Sequence, residues 1–574
     1  MSARSALQPP VPATVTERVG ARPRPRTSTV AAVGTLAAML VFALWSLSTL
    51  DFTADTFTGG LDRVGPFLDR MLPLRFPPTA DLLESIGITL GIVVCGTALS
   101  ALLSVPVAYL AARNTSPYRW LIPVGRAVGV VARAVPDVVL AMVFVLLFTL
   151  GSLPGILAIA LHSVGMISKL FADAIEQIDE GPRNAVRATG ASRSQQFFSG
   201  VFPQVLPSWI ATTLHRADIN LRGSVLLGYA GVTGLGYDLR LSLDSLNYRQ
   251  AMAYVLVIFG LCVLFEILST VIRARLLGTA PTGRSLGARI ARATRRPAPA
   301  PAGPGLPPRL TVDAAMRRPW TSERITSAAG LLATVAVLAA AAVWSKAAWL
   351  DLFGFWPQIP LVTERTWPLS ISPRTWSDVA DALLVTLQIA AAATLLSAAA
   401  SLVAGPLAAR NAAPNRIVRA AARTVLLVIR AIPELILAIL LIILSGLGPQ
   451  AGTIALAVGG VGLLGKLVAD SLEEAPRGPQ LAVQSVGGTR TQVFFSATAR
   501  LSLPAFVGNT LYLLDTNIRS ATLLGIVGAG GIGYYLVDAT RVSRYDQVAA
   551  FIVILVLVVL VVESISFLIR KALR

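Results

Sequence analysis

Apolar stretches long enough to cross a bilayer alternate along the chain with polar ones, and the alternation predicts twelve membrane spans. Six lie at about 29–50, 85–111, 127–150, 153–172, 207–229 and 249–272, and six more at about 327–350, 382–408, 424–445, 450–469, 504–526 and 548–569. Charge orients them. Arg4, Arg18, Arg22, Arg24 and Arg26 precede the first span, whereas the next polar segment balances Asp51, Asp55, Asp62, Asp69 and Asp81 against Arg63, Arg70 and Arg75. Cytoplasmic segments are enriched in Lys and Arg, so the N-terminus is expected inside and residues 51–82 outside. The first apolar stretch lacks a small-residue cleavage site after its core and reads as a retained span.

The second six spans repeat the first. An offset of 297 residues holds from Thr89/Thr386 through Arg113/Arg410, Pro136/Pro433 and Asp218/Asp515 to Glu266/Glu563. Residues 29–275 and 323–574 therefore read as two copies of one six-helix unit. Because each copy has an even number of spans, the copies are parallel repeats about an axis along the membrane normal. Between them, residues 276–322 form an Arg/Pro-rich linker; the stretch 273–320 holds ten arginines, eight prolines and one aspartate. Such a composition builds no core and suits a flexible cytoplasmic tether, with contact to anionic headgroups as a second role. Residues 1–28 read as a disordered cytoplasmic tail. The expectation is an all-α, multi-pass cell-membrane protein with both termini in the cytoplasm.

Within the repeat, Gly181 to Pro207 (GPRNAVRATGASRSQQFFSGVFPQVLP) returns as Gly478 to Pro504 (GPQLAVQSVGGTRTQVFFSATARLSLP). Each copy is too polar to span a bilayer and reads as two short helices at the inner surface. Gly190 and Gly487 supply the bend. Ala185, Arg193, Phe197 and Phe198, with Ala482, Arg490, Phe494 and Phe495, are the candidate contact residues. The Phe pairs would anchor the second short helix or fill a partner's groove. Two like elbows side by side call for a two-fold partner on the inner face.

Composition narrows the class. The chain is 54% hydrophobic and 14% charged, which is too apolar for a soluble domain. Its formal charge of +19 sits in the tail, in the linker and beside spans, a membrane pattern that gives no reason to invoke nucleic acid. Cys95 and Cys262 lie within apolar spans, and His162 and His215 have no ligand-spaced neighbours, so no metal site is indicated. GVGLLGK at 460–466 lacks the Ser or Thr of a phosphate loop and falls inside a span. GAGGIG, Gly528 to Gly533, follows a membrane segment and suits a close helix approach or a bend at a pore mouth. No catalytic constellation or cofactor site is present, so the chain does not read as an enzyme.

Charges inside the spans remain to be explained. Asp218, Asn220 and Arg222 recur as Asp515, Asn517 and Arg519. Charge at membrane depth faces a polar cavity or pairs with another charge. Asp and Arg four residues apart on a helix can pair with each other, and arginines facing the two-fold axis can offer a passing anion charge-assisted bonds. Both readings stay open. Arg133/Arg430 and Lys169/Lys466 are further candidates for a path, or simple markers of helix ends.

At these residues the chain resembles the membrane permease subunits of ABC importers, in particular the phosphonate/phosphate-type branch. Asn184-Ala185-Val186 with Gly190, and Leu481-Ala482-Val483 with Gly487, are similar to that family's coupling loop, with Asn184 and Leu481 at the position of its glutamate. The more specific likeness is DTNIRSATLLGIVGAGGIGYYL, Asp515 to Leu536, paralleled by DINLRGSVLLGYAGVTGLGYDL, Asp218 to Leu239. The resemblance implies the type I importer permease fold, here two permease units fused in one chain. It further implies two cytoplasmic ABC ATPase copies carrying ATP and Mg, an extracytoplasmic substrate-binding protein, and a cargo of phosphonate, phosphite or phosphate. An ion-coupled secondary transporter, or an ABC permease for methionine or another small metabolite, is the alternative.

Overall fold

A computed structural model describes residues 27–50, 65–66, 69–276, 322–446 and 448–572; these residues are helical or lie in turns and loops, with no strand among them. The expected tail and linker fall almost wholly outside the described residues. The first half runs α1 (Thr27–Thr49), α2 (Thr79–Ala111), α3 (Leu121–Ala134), α4 (Asp137–Phe148), α5 (Ser152–Glu176), α6 (Glu180–Ala188), α7 (Arg193–Gln196), α8 (Phe202–Leu227), α9 (Leu235–Asp244) and α10 (Tyr248–Leu276). The same order returns as α11 (Ser322–Trp344), α12 (Trp376–Ala408), α13 (Arg416–Ala431), α14 (Glu434–Ser445), α15 (Pro449–Glu474), α16 (Arg477–Ser485), α17 (Arg490–Val493), α18 (Ala499–Leu524), α19 (Ile532–Arg541) and α20 (Tyr545–Ala572). Two short helices, Asp351–Gly354 and Gln358–Thr366, are inserted between α11 and α12.

The sequence predicts twelve spans, and length and apolarity account for up to ten of them among the described residues. Among the described residues, eight helices are long and apolar enough to cross a membrane: α1, α2, α5, α10 and their counterparts α11, α12, α15 and α20. Two bent pairs bring the number to ten, α3 with α4 at 84° and the segment Arg490–Ala529 with α19 at 58°. The expected spans at 207–229 and 424–445 do not qualify. Their helices carry several membrane-depth charges, Arg216, Asp218 and Arg222 on α8 and Arg430 and Glu434 at the α13–α14 junction, and those charges lower the hydropathy. The third span breaks at Pro136, which removes a backbone donor and disfavours helix at the residue before it. GAGGIG is a bend, with Gly528, Gly530 and Gly531 at φ of 107°, 84° and 73°. GVGLLGK lies inside continuous α15.

One apolar core runs through both halves, joining Ile92, Val138 and Ile156 to Ile389, Leu456 and Phe551. α2 packs along α5 and α12 along α15, with α8 and α18 laid across each pair. The first helix of each half crosses over: α1 packs on α12 and α20, and α11 packs on α2. At the second of these contacts a Cβ on Gly91 would lie 2.7 Å from the Ala341 carbonyl oxygen, so only hydrogen there lets the backbones meet. At the first, Gln388 Nε2 donates to Thr49 Oγ1 at 3.1 Å. Leu331, Leu332 and Val343 of α11 and Leu557 and Val561 of α20 stay exposed, as suits side chains whose solvent is lipid.

Candidate functional site

The elbows are built alike. Asp179 caps α6 by accepting from Gly181 N at 2.9 Å, and Gly190 and Gly487 turn the chain at φ of +78° and +83°, a region that disfavours any residue with a Cβ. The next short helix opens on a reciprocal capping box, Ser192 with Gln195 in one copy and Thr489 with Gln492 in the other. A π turn follows in each, Phe197–Val201 and Phe494–Thr498, and leads into α8 or α18.

The π turn divides each Phe pair. Phe197 is buried and meets Tyr109 edge-on at 5.2 Å between ring centroids, within a cluster that includes Phe171, Phe202 and Trp209. Phe494 is half-buried against the core of the second half. Phe198 and Phe495, by contrast, are 64% and 66% exposed. The two roles expected of each pair therefore fall on different members: the first anchors the elbow and the second is free to meet a partner. Ala185, Gly190, Arg193, Ala482, Gly487 and Arg490 are all exposed. Arg193 also ties its elbow to the loop after α2, donating to the Pro117 carbonyl at 3.2 Å.

Membrane-depth charges collect where the halves meet. Arg222 pairs with Asp218 on α8, and its Nη1 donates across the seam to the Arg430 carbonyl at 2.6 Å. The Arg430 guanidinium stands 3.9 Å from the same aspartate. In the other direction Arg519 pairs with Asp515 at 2.9 Å, and Arg133 lies within electrostatic range of both while pairing with Glu563 of α20. Each half thus sends the arginine at the end of its α3 or α13 to the Asp-Arg pair of the other half. Those arginines are held at a close crossing. A Cβ on Gly165 would lie 2.6 Å from Arg133 Cβ, and one on Gly462 would lie 3.0 Å from Arg430 N.

Asn220 and Asn517 make neutral bonds of their own, and Asn220 also accepts at 3.2 Å from Ser163 Oγ, the hydroxyl that Arg216 binds. Each is buried, and each donates through Nδ2 at 2.9 Å to a threonine on the long second helix, Thr97 or Thr394. Lys169 is exposed on α5, and Lys466, half exposed on α15, lies 3.9 Å from Asp470. Lys466 lines the same cavity as Arg430 and Glu266.

Several polar groups at the seam were not among the sequence candidates. Asp137 and Glu434 begin α4 and α14 directly after the span-breaking prolines, and Glu434 bonds the Ser520 hydroxyl. Their shared offset of 297 was a readable signal. Arg216 is buried on α8 and donates to Ser163 Oγ at 3.0 Å; its counterpart is Leu513, so the repeat concealed it. His162 Nδ1 lies 2.9 Å from the Val135 carbonyl at the α3–α4 break, the kind of backbone group that a broken helix leaves to a side chain.

A cavity of about 1290 Å³, lined mostly by the second half and closed by His215, Glu266, Thr270 and Arg273 of the first, runs from the second elbow, at Arg490 and Phe494, to Arg430 at the seam. No three His, Cys, Asp or Glu side chains among the described residues group as metal ligands.

Comparison with known proteins identifies the chain's relatives. The phosphate-import permease protein PhnE of Mycolicibacterium smegmatis is 40% identical over 534 residues, covering 93% of each chain. The phosphite transport system permease protein PtxC of Stutzerimonas stutzeri is 35% identical over 235 residues, which cover 41% of this chain and 85% of that protein. The model of one family, the binding-protein-dependent transport system inner membrane component, matches residues 104–278 and again 401–574. Two matches that fall on corresponding parts of the halves, and together span more than half of the sequence, show that the chain belongs to this family of membrane transport components.

Proposed function

We propose that the chain forms the whole transmembrane pathway of an ATP-driven importer for phosphonate or a related tetrahedral oxyanion, phosphite or phosphate. Two copies of a separate ABC ATPase dock on the elbows, and an extracytoplasmic binding protein delivers the cargo. The observation that carries this reading is the arrangement of Arg222 and Arg519 at the seam. Each is bound to an aspartate of its own helix and stands beside an arginine of the other half. Among the described residues, Arg519 Nη1 and the Oδ1 atoms of Asp218 and Asp515 are buried without a hydrogen-bond partner. Rocking one half against the other separates Arg222 from the Arg430 carbonyl and Arg133 from Glu563. The freed guanidinium groups then offer a tetrahedral anion forked, charge-assisted bonds, while the aspartates compete for the same donors and keep the hold transient.

The relatives favour the same cargo class: one that spans nearly this whole chain is named for phosphate import, and one of about half its length is named for phosphite transport. The match to a half-length relative also suits two fused six-helix permease units. On this reading the elbows, both termini and the linker are cytoplasmic, and the chain performs no chemistry of its own. The deciding experiment is uptake into vesicles containing the chain, its ATPases and its binding protein, with phosphonate, phosphite and phosphate offered separately, with and without ATP. ATP-dependent accumulation of at least one of them is expected. Accumulation confined to methionine or another unrelated metabolite overturns the cargo class, and accumulation by the chain alone under an ion gradient overturns the importer mechanism.

A further inference from the structure

The cavity is strongly cationic. Eight arginine or lysine side chains line it against two carboxylates, Glu266 and Asp470. They converge from both halves: Arg273 from α10, Arg419, Arg423 and Arg430 from α13, Lys466 from α15 and Arg490 from the elbow. Some of this charge is engaged. Arg423 is held by Glu473 at 2.7 Å and by the Ala408 carbonyl, an arrangement that Arg126 repeats in the first half with Glu176 and Ala111. Arg273, Arg419 and Arg490 are different, because none of the three has a carboxylate within ion-pair distance among the described residues. At the inner end of the cavity, His215 Nδ1 is buried and has no hydrogen-bond partner there. Unpaired cations gathered in one concave space repel one another, and an anion relieves that repulsion.

Seven of the eight cations recur as Arg or Lys 297 residues away, Arg273 as Arg570 and Lys466 as Lys169 among them, but part of the lining is one-sided. At the corresponding positions 297 residues away, Arg419 is matched by Ile122, Thr270 by Phe567 and His215 by Tyr512. ATPase docking and a central path are two-fold requirements and call for the same residues in both halves. Arg419, the one lining cation written into one half alone, answers a different demand.

We infer that this cavity is a binding site, on the face that carries the elbows, for a phosphate group bearing two negative charges, either free inorganic phosphate or the monoester headgroup of a lipid. Its volume of about 1290 Å³ admits either. Arg419 supplies a forked donor, and Arg273, whose Nε and Nη2 also donate to the Ser269 carbonyl and Thr270 Oγ1 of its own helix, supplies a second guanidinium from the opposite half, so an occupant bridges α13 to α10 and ties the two halves together on that side. The site reaches the proposed cargo path at Arg430 but rests on Arg419 and Arg273, which are not part of that path, and its test does not require transport.

The experiment is equilibrium binding to the purified full-length chain in nanodiscs. One arm uses phosphatidylcholine discs with radiolabelled inorganic phosphate, and the other uses discs doped with phosphatidic acid and scored for lipid retained after exchange into neutral lipid. Arg419→Ile, which installs the residue found at position 122, and Arg273→Gln are the variants, with size-exclusion profiles reporting their fold. Saturable binding in either arm that weakens tenfold or more in a folded variant supports the site, and the arm that responds names the source. Absence of binding in both arms, or binding unchanged by both substitutions, overturns it. Oxyanion uptake that persists while this binding is absent sinks the site and leaves the cargo reading standing, and the converse result does the reverse.

Discussion

Arg133, at the end of α3, forms an ion pair with Glu563 of α20, so the last helix of the second half is fastened to the first half by a contact that is mostly withdrawn from solvent, at 17% and 12% side-chain exposure. Removing one partner of a buried pair leaves an uncompensated charge, which costs about 3–5 kcal/mol, whereas replacing both with apolar groups is close to neutral. Glu563→Gln is therefore expected to lower the thermal-inactivation midpoint of the purified chain sharply, and Arg133→Met with Glu563→Leu to restore most of it. Equal losses in the single and double variants would show that the pair does not fasten the halves.

Cutting back the two members of a Phe pair should have different consequences. Phe197→Ala empties a site among Tyr109, Phe202 and Trp209 and should destabilise the chain by about 3–5 kcal/mol. Phe198→Ala combined with Phe495→Ala removes two exposed rings and should leave stability within about 0.5 kcal/mol. The same double variant should lose ATPase association or uncouple hydrolysis from uptake, read by co-purification and by cargo-stimulated ATPase activity. Normal coupling in that variant would remove the exposed rings from the docking surface.

For the path, the informative variants neutralise whole pairs. Asp218→Asn with Arg222→Gln, and Asp515→Asn with Arg519→Gln, avoid stranding a lone charge that would cost roughly 2.5–3.5 kcal/mol at membrane depth. Either should cut oxyanion uptake at least tenfold, about 1.4 kcal/mol in the barrier, in a complex that still assembles and hydrolyses ATP. Undiminished uptake would make the pairs structural.

Asn220 and Asn517 should behave as fasteners. Each alanine substitution breaks a buried bond from α8 to Thr97 or from α18 to Thr394, worth roughly 0.6–2 kcal/mol between membrane helices. The two losses should add, since the bonds share no partner. Thermal inactivation of the two single variants and the double variant checks this. A loss of uptake without loss of stability would instead return both residues to the path.

What the sequence made legible follows from what repetition and hydropathy record. The offset of 297 located both elbows, their glycine bends and the Asp-Arg pairs, because each occurs twice. It missed Arg216, which has Leu513 as its counterpart, and it could not tell Phe197 from Phe198, because a π turn that rotates one ring inward leaves no composition signal. Hydropathy counted straight spans and passed over the break at Pro136, although the proline was in view. Packing between the halves was the least legible, since nothing in the α1 sequence says that its partner is α12.

That crossover bears on how the protein is made. More than 300 residues separate α1 from α12, and at ~5–20 residues per second a ribosome needs roughly 15–65 seconds to cover them. Throughout that interval α1 waits in the bilayer without its eventual neighbour. Its sequence suits the wait: the Ser46 hydroxyl, wholly buried in the finished fold, already donates to the Phe42 carbonyl one turn back at 2.7 Å, and so asks nothing of the lipid around it.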